Sequence, residues 1–224
     1  MLMFSATMPP PIMKIAAQFM RGYEIIRITE PETDTPLTDQ FYFEVQRADK
    51  LEALARLIDV EPEIYALVFC RTRSDVDELT EKLQNRGLAV EALHGDVAQA
   101  QRTRLIERFK ARKFSVLIAT DVAARGIDVS GVTHVINYRV PENPEDYVHR
   151  IGRTGRAEAT GEAFTILTAD ELDFAKAVEE FVNQKIERKK LEGFDYAYSA
   201  ILDDQPIRPV RKPKPPMPKR GRRR

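Results

Sequence analysis

From residue 41 onward, apolar and polar positions alternate between a period of two and a period near 3.6. Phe41 to Gln46 reads as an alternating strand, and Leu51, Leu54, Ala55 and Ile58 predict a helix that stops before Pro62. Tyr65 to Cys70 is a short apolar strand. Ser74 can cap the next helix, which carries Val76, Leu79 and Leu83, and Gly87 can close it. A strand over Leu88 to Leu93, a helix over 98–110, and strands over Val116 to Ala119 and Val132 to Tyr138 follow. Asn143 before Pro144 marks a capped helix start. Phe164 to Leu167 is the last strand; Thr168 and Glu171 make a capping box for a helix with Phe174, Val178, Phe181 and Val182. Ile186 to Leu191 reads as charged and helical.

Strand and helix alternate, and several strands are continuous apolar runs. This predicts an α/β fold, a parallel sheet with helices on both faces. Ligands of such sheets sit at the C-terminal strand ends. The polar clusters fall there: Arg71-Thr72-Arg73, His94-Gly95-Asp96, Thr120 to Asp128, and the loops around 141–156. The first residues look different. Leu2 to Phe4 reads as the end of a buried strand, 10–20 as an amphipathic helix, and Glu24 to Ile28 as a strand. Residues 30–40 are polar and proline-containing. The expected organisation is the end of a domain over 1–29, a linker over 30–40, a domain over 41–187, an extension over 188–204 and a tail over 205–224.

The charge balance sharpens the last of these. The chain has 35 Lys+Arg and 35 Asp+Glu, but 205–224 holds nine basic residues, six prolines and no acid. Residues 1–204 therefore carry 26 basic against 35 acidic residues, a net of −9. The tail's composition predicts disorder, and it is either solubilising or a nucleic-acid contact. The single cysteine, Cys70, excludes an internal disulfide. No apolar run is long enough for a membrane span, and the N-terminus lacks signal-peptide order, so a cytoplasmic protein is expected. The three histidines match no zinc spacing, so no metal site is expected.

His149-Arg150-Ile151-Gly152-Arg153-Thr154-Gly155-Arg156 puts three arginines, one histidine and two glycines into eight residues. Guanidinium forks match phosphate oxygens, and glycine lets a backbone approach a ligand. Alone, the segment reads more readily as a charged surface turn, and it is the motifs upstream that overturn this. Thr120 to Asp128 is either a tight strand-to-helix connection, capped by Asp121 and ended by Gly126, or a phosphate-facing loop using Thr120 and Arg125. Arg102, near the start of its helix, is a solvated arginine or a phosphate contact. Cys70 reads as a small core residue.

In order, Ser5-Ala6-Thr7, Val68 to Thr72, His94-Gly95-Asp96 with Gln99 to Arg102, Ala119 to Asp128, and His149 to Arg156 resemble the DEAD-box ATP-dependent RNA helicases of superfamily 2. The bacterial cold-shock type looks nearest. The resemblance covers nearly all of 1–190 and implies two RecA-like domains, of which this chain holds the end of the first, the linker and the second. It implies that Ser5 and Thr7 couple the domains, with Arg150 also placed among the coupling residues or bridging within its own domain. It implies that Arg153 and Arg156 reach the γ-phosphate of ATP, Arg156 as the arginine finger, that His149 joins the network around the attacking water, and that Asp128, beside Gly126, holds the ribose. Thr72, Gly95, Arg102, Thr120 and Arg125 would contact the RNA sugar-phosphate backbone, which carries no base sequence.

The chain departs from the family pattern at its most chemical point. It contains no Gly-x-x-x-x-Gly-Lys-Thr loop and no Asp-Glu-Ala-Asp, so ATP and Mg²⁺ would be bound mainly by the missing first domain. The expectation is a chain that alone neither hydrolyses ATP nor unwinds RNA. A stand-alone RNA-binding or regulatory module is the alternative; a related DNA helicase is disfavoured by the wording of Val68 to Thr72 and Ala119 to Asp128.

Overall fold

The computed structural model describes residues 2–3, 10–20, 22–26, 38–61, 63–125, 127, 129–155, 160–191 and 194. The chain forms two units, Met1–Thr35 and Pro36–Arg224. In the first, helix α1 spans Pro10–Phe19, as its apolar spacing predicts. The expected strands there do not form where they can be seen: Leu2 and Met3, and residues 24–26, have no regular structure, and Leu2 is exposed. A strand needs a ladder partner for its backbone groups, and the described residues of this unit offer none.

The second unit is built on seven strands: β1 (Thr38–Glu44), β2 (Ala66–Cys70), β3 (Val90–Leu93), β4 (Val116–Thr120), β5 (His134–Asn137), β6 (Gly161–Leu167) and β7 (Glu187–Lys189). They run in the order β3-β4-β2-β5-β6-β1-β7, every pair parallel. The connecting helices are α2 (Lys50–Val60), α3 (Arg73–Gln84), α4 (Gln99–Lys110), α5 (Asp121–Ala124), α6 (Pro144–Ile151) and α7 (Leu172–Phe181). Successive residues of one strand serve opposite faces. Val68 and Cys70 pack with Leu54, Val76 and Leu83 of α2 and α3, whereas Leu67 and Phe69 pack with Leu105 and Phe109 of α4. Tyr42, Tyr147, Ile151, Ala163 and Val178 continue the second layer under α6 and α7. Helices thus cover both faces, the RecA-like arrangement.

Several local expectations change. Phe41 to Phe43 do not alternate; all three are buried. Phe41 and Phe43 face α2 while Tyr42 faces α7 and donates to the Ala175 carbonyl at 3.4 Å, because this strand is covered on both sides. The strand also begins at Thr38, inside the expected linker. Ile186 to Leu191 is not helical: Glu187–Lys189 pairs with β1, and buried Ile186 and Leu191 anchor it on either side. Without it, the outer backbone groups of β1 would be unpaired, which outweighs the helical tendency of a short charged run. Thr72, not Ser74, caps α3, in a capping box with Asp75. Thr120 occupies the cap position of α5, so Asp121 lies inside the first turn. In α7, Leu172, Ala175 and Val178 form the buried stripe, leaving Phe181 largely exposed and Phe174 at the rim.

Asn143 and Pro144 start α6 as expected: the Asn143 side chain accepts from the Glu145 N–H. The Thr168–Glu171 box also forms, and Glu171 additionally accepts from buried Lys50 Nζ at 2.6 Å. This pair joins the start of α2 to the approach to α7. Among the described residues, no helix is long and apolar enough to cross a membrane.

Candidate functional site

The C-terminal ends of adjacent strands β3, β4, β2 and β5 carry the polar segments picked out from the sequence. Arg150 ties together the segments that follow β4 and β5. It projects from α6, is nearly fully buried, and uses its whole guanidinium: Nε and Nη2 donate to the two carboxylate oxygens of Asp121 at 2.6 and 2.7 Å. Nη1 donates to Asn137 Oδ1 at 3.0 Å and to the Arg139 carbonyl at 3.1 Å. The guanidinium carbon also lies 5.2 Å from the Phe69 ring centroid. Arg150 therefore bridges within its own unit, the second of the two roles expected for it: its donors are committed to Asp121, Asn137 and the Arg139 carbonyl.

This clamp fixes α6 against α5, and the arginine-rich turn follows from it. Arg153 Nη1 donates to the Ile127 carbonyl at 3.1 Å. Buried Thr154 donates to the carbonyls of Val132 and Thr133 at 2.6 and 3.0 Å. Gly155 adopts φ +65°, which favours glycine. Gly161, opening β6, is required by the same turn, because a Cβ there would collide with Thr154 Oγ1 and Gly155 N. Arg125, His149, Arg150 and Arg153 line one shallow depression with Asp121 and Asp146. His149 and Arg125 are exposed, and Arg125 Nη2 lies 3.5 Å from Asp146 Oδ1.

The remaining residues form a row along β3, β4 and β2. Thr72 is exposed, its hydroxyl accepting from the Asp75 N–H at 3.1 Å. Gly95 is exposed, and a Cβ there would meet nothing within 4 Å, so packing within the chain does not demand glycine at this position. Arg102 Nη2 donates to the Ala123 carbonyl at 2.6 Å and, more weakly, to that of Arg125 at 3.4 Å, shaping the loop that presents Arg125. Thr120 is buried at the end of β4. Ser5, Thr7, Gly126, Asp128 and Arg156 lie outside the described residues. Cys70 is buried, and desolvation pushes its thiol up to about 12, which keeps it protonated and unreactive.

Asn137, which no motif in the sequence singles out, is fully buried and bridges Arg150 to Thr165 Oγ1, the latter at 3.1 Å. A carboxamide ending the apolar run Val135-Ile136 was its signal. Glu61, His134 and Glu162 form a further cluster, at the N-terminal ends of β5 and β6, which residue spacing alone does not reveal.

Residues 49–158 match the family model of the helicase conserved C-terminal domain. The DEAD-box ATP-dependent RNA helicase CshA of Bacillus licheniformis is 48% identical over 196 residues, covering 88% of this chain and 40% of that protein. The structure of the E. coli DEAD-box protein SrmB bound to regulator of ribonuclease activity A is 34% identical with a TM-score of 0.64, over 68% of this chain and 90% of the other. That of S. cerevisiae Dbp5 bound to RNA and ADP BeF3 is 29% identical with a TM-score of 0.76, over 84% and 51%. The chain belongs to the DEAD-box RNA helicase family. It is similar to the bacterial cold-shock members and spans about 40% of the length of the CshA relative.

Proposed function

We propose that this chain is the second-domain portion of an ATP-dependent RNA helicase that couples ATP hydrolysis to local, sequence-independent unwinding of RNA duplexes in the cytoplasm. The observation that carries the reading is the Arg150–Asp121 clamp, which gathers Arg125, His149 and Arg153 around one depression at the strand ends. Bound ATP–Mg²⁺ supplies the scissile phosphoanhydride and the metal that neutralises its oxygens. The donor set here suits the phosphate end of that ligand: guanidinium forks are present, while the nearby Asp121 carboxylate is committed to Arg150. A first RecA-like domain would hold the β-phosphate and the metal. Arg153 and Arg156 stabilise charge on the transferring phosphoryl group when the two domains close, Arg156 as the finger. His149 joins the network around the attacking water, and Asp128, beside Gly126, accepts from the ribose.

Thr72, Gly95, Arg102, Thr120 and Arg125 serve the RNA backbone. Gly95 supports this role most directly, since a position with free space for a side chain still carries glycine. Arg102 contributes through the loop it holds as well as through its charge. Ser5 and Thr7 couple the domains. Alone, the chain binds RNA and turns over no ATP. The test fuses a first RecA-like domain of a CshA relative to this chain and measures RNA-stimulated ATPase. Turnover should appear in the fusion, and Arg156→Ala should lower it about 10³-fold. Unchanged turnover in that variant refutes the finger. RNA binding without ATPase in the fusion favours a stand-alone RNA-binding module instead.

A further inference from the structure

We propose that Glu61, His134 and Glu162 form a site for a divalent cation, Zn²⁺ foremost, at the N-terminal ends of β5 and β6. The site is independent of the helicase reading. His134 opens β5, Glu162 is the second residue of β6, and the two are register partners in the parallel ladder. Glu61 follows the last residue of α2, whose C-terminal end reaches these same strand ends. One atom from each residue lies within 4.8 Å of the others. His134 Nε2 is 2.8 Å from Glu162 Oε2 and 3.9 Å from Glu61 Oε2. Two donors on a tetrahedral zinc ion stand about 3.3 Å apart at ordinary Zn–N and Zn–O lengths, so these separations bracket the required one.

The surroundings prepare the ring for an ion. Thr133 Oγ1 lies 2.7 Å from His134 Nδ1 and also accepts from the Tyr65 N–H and donates to its carbonyl. Without an ion, the 2.8 Å contact is an Nε2–H donating to Glu162. An ion would displace that proton, and with the Thr133 hydroxyl proton on the Tyr65 carbonyl, Thr133 Oγ1 can accept from Nδ1–H in the tautomer that leaves the Nε2 lone pair for the metal. This is the outer-sphere arrangement that fixes ligating histidines. The ring is buried, whereas both carboxylates are partly exposed, so an ion enters from solvent and keeps a water as its fourth ligand. One imidazole and two carboxylates suit Zn²⁺ better than Mg²⁺, which takes oxygen ligands and octahedral geometry. Bound there, the ion would tie the end of α2 to β5 and β6.

The experiment titrates the full chain with ZnCl₂ by calorimetry and follows melting, with MgCl₂ alongside. One equivalent of Zn²⁺ should bind, Mg²⁺ far more weakly. At a hundredfold excess over Kd the melting temperature should rise by about 5 °C. Glu162→Gln and Glu61→Gln change partly exposed carboxylates and should fold, so they carry the test where His134→Ala fails to. Each should weaken Zn²⁺ binding by at least about tenfold, the loss typical of even an outer-shell partner. No heat and no melting shift overturns the proposal. So does binding that both glutamine variants leave unchanged, which would put the ion on another residue such as His94.

Discussion

Arg150 shows how a single side chain turns the fold into a site. A guanidinium this buried is tolerable only if its donors are met, and Asp121, Asn137 and the Arg139 carbonyl meet them. The pair's value is less in stability than in placement, since buried ion pairs often gain little over apolar replacements. Breaking one partner is another matter. Asp121→Asn leaves a buried cation without its counter-charge and should cost about 3 kcal/mol in urea unfolding. The double variant Arg150→Met with Asp121→Asn should recover much of that stability while losing RNA-stimulated ATPase in a two-domain fusion. A loss below about 1 kcal/mol for Asp121→Asn would show that the clamp is structurally slack. Cys70 illustrates the opposite case: beneath the same strand end, desolvation raises its thiol and removes it from the chemistry.

At the scale of elements, the regular strands and helices of 41–184 were legible because buried parallel strands are apolar runs and caps are local. Asn143, Pro144, Thr168 and Glu171 act where their types predict. What escaped depended on partners far along the chain. Strand β7 exists because β1 has an open edge, and the Glu61–His134–Glu162 cluster exists because β5 and β6 are neighbours. The arginine motif was legible as a phosphate-shaped cluster, whereas the internal use of Arg150 was legible only through the family resemblance, since position along the chain does not say which guanidinium turns inward. The β1–β7 edge also carries a pH response. Burial raises Glu44 from 4.5 to about 7, opposed by Arg188, whose Nε lies 3.2 Å from Glu44 Oε1. Between those pH values the folded chain holds a proton that the unfolded chain has released, so stability falls as pH rises through this window. Screening at a partly exposed carboxylate limits the effect to about 1 kcal/mol. Glu44→Gln should remove that part of the stability difference between urea melts at pH 5 and pH 8; an identical difference in wild type and variant would assign the response elsewhere.

Across the whole molecule, a net charge of zero conceals an acidic body and a basic tail. Residues 205–224 lie outside the described residues, but their charge sets an expectation by itself. An acidic body repels a polyanion at long range, so its strand-end arginines act only at contact, within a Debye length of about 8 Å at physiological salt. The tail's nine cations would work at longer reach: in the function proposed above they would release counterions from RNA and keep it near the row formed by Thr72, Gly95 and Arg125. Removing 205–224 should therefore weaken RNA affinity most at low salt and flatten the plot of log affinity against log salt. If about four tail cations contact a single strand, the slope should fall by roughly three units. The measurement is a fluorescence-anisotropy titration of one labelled RNA at several salt concentrations, with and without the tail. Equal slopes would leave RNA binding to the folded unit alone. A slope that flattens with unchanged affinity at high salt would divide the labour cleanly: the tail gathers RNA electrostatically, and the strand-end residues grip its backbone.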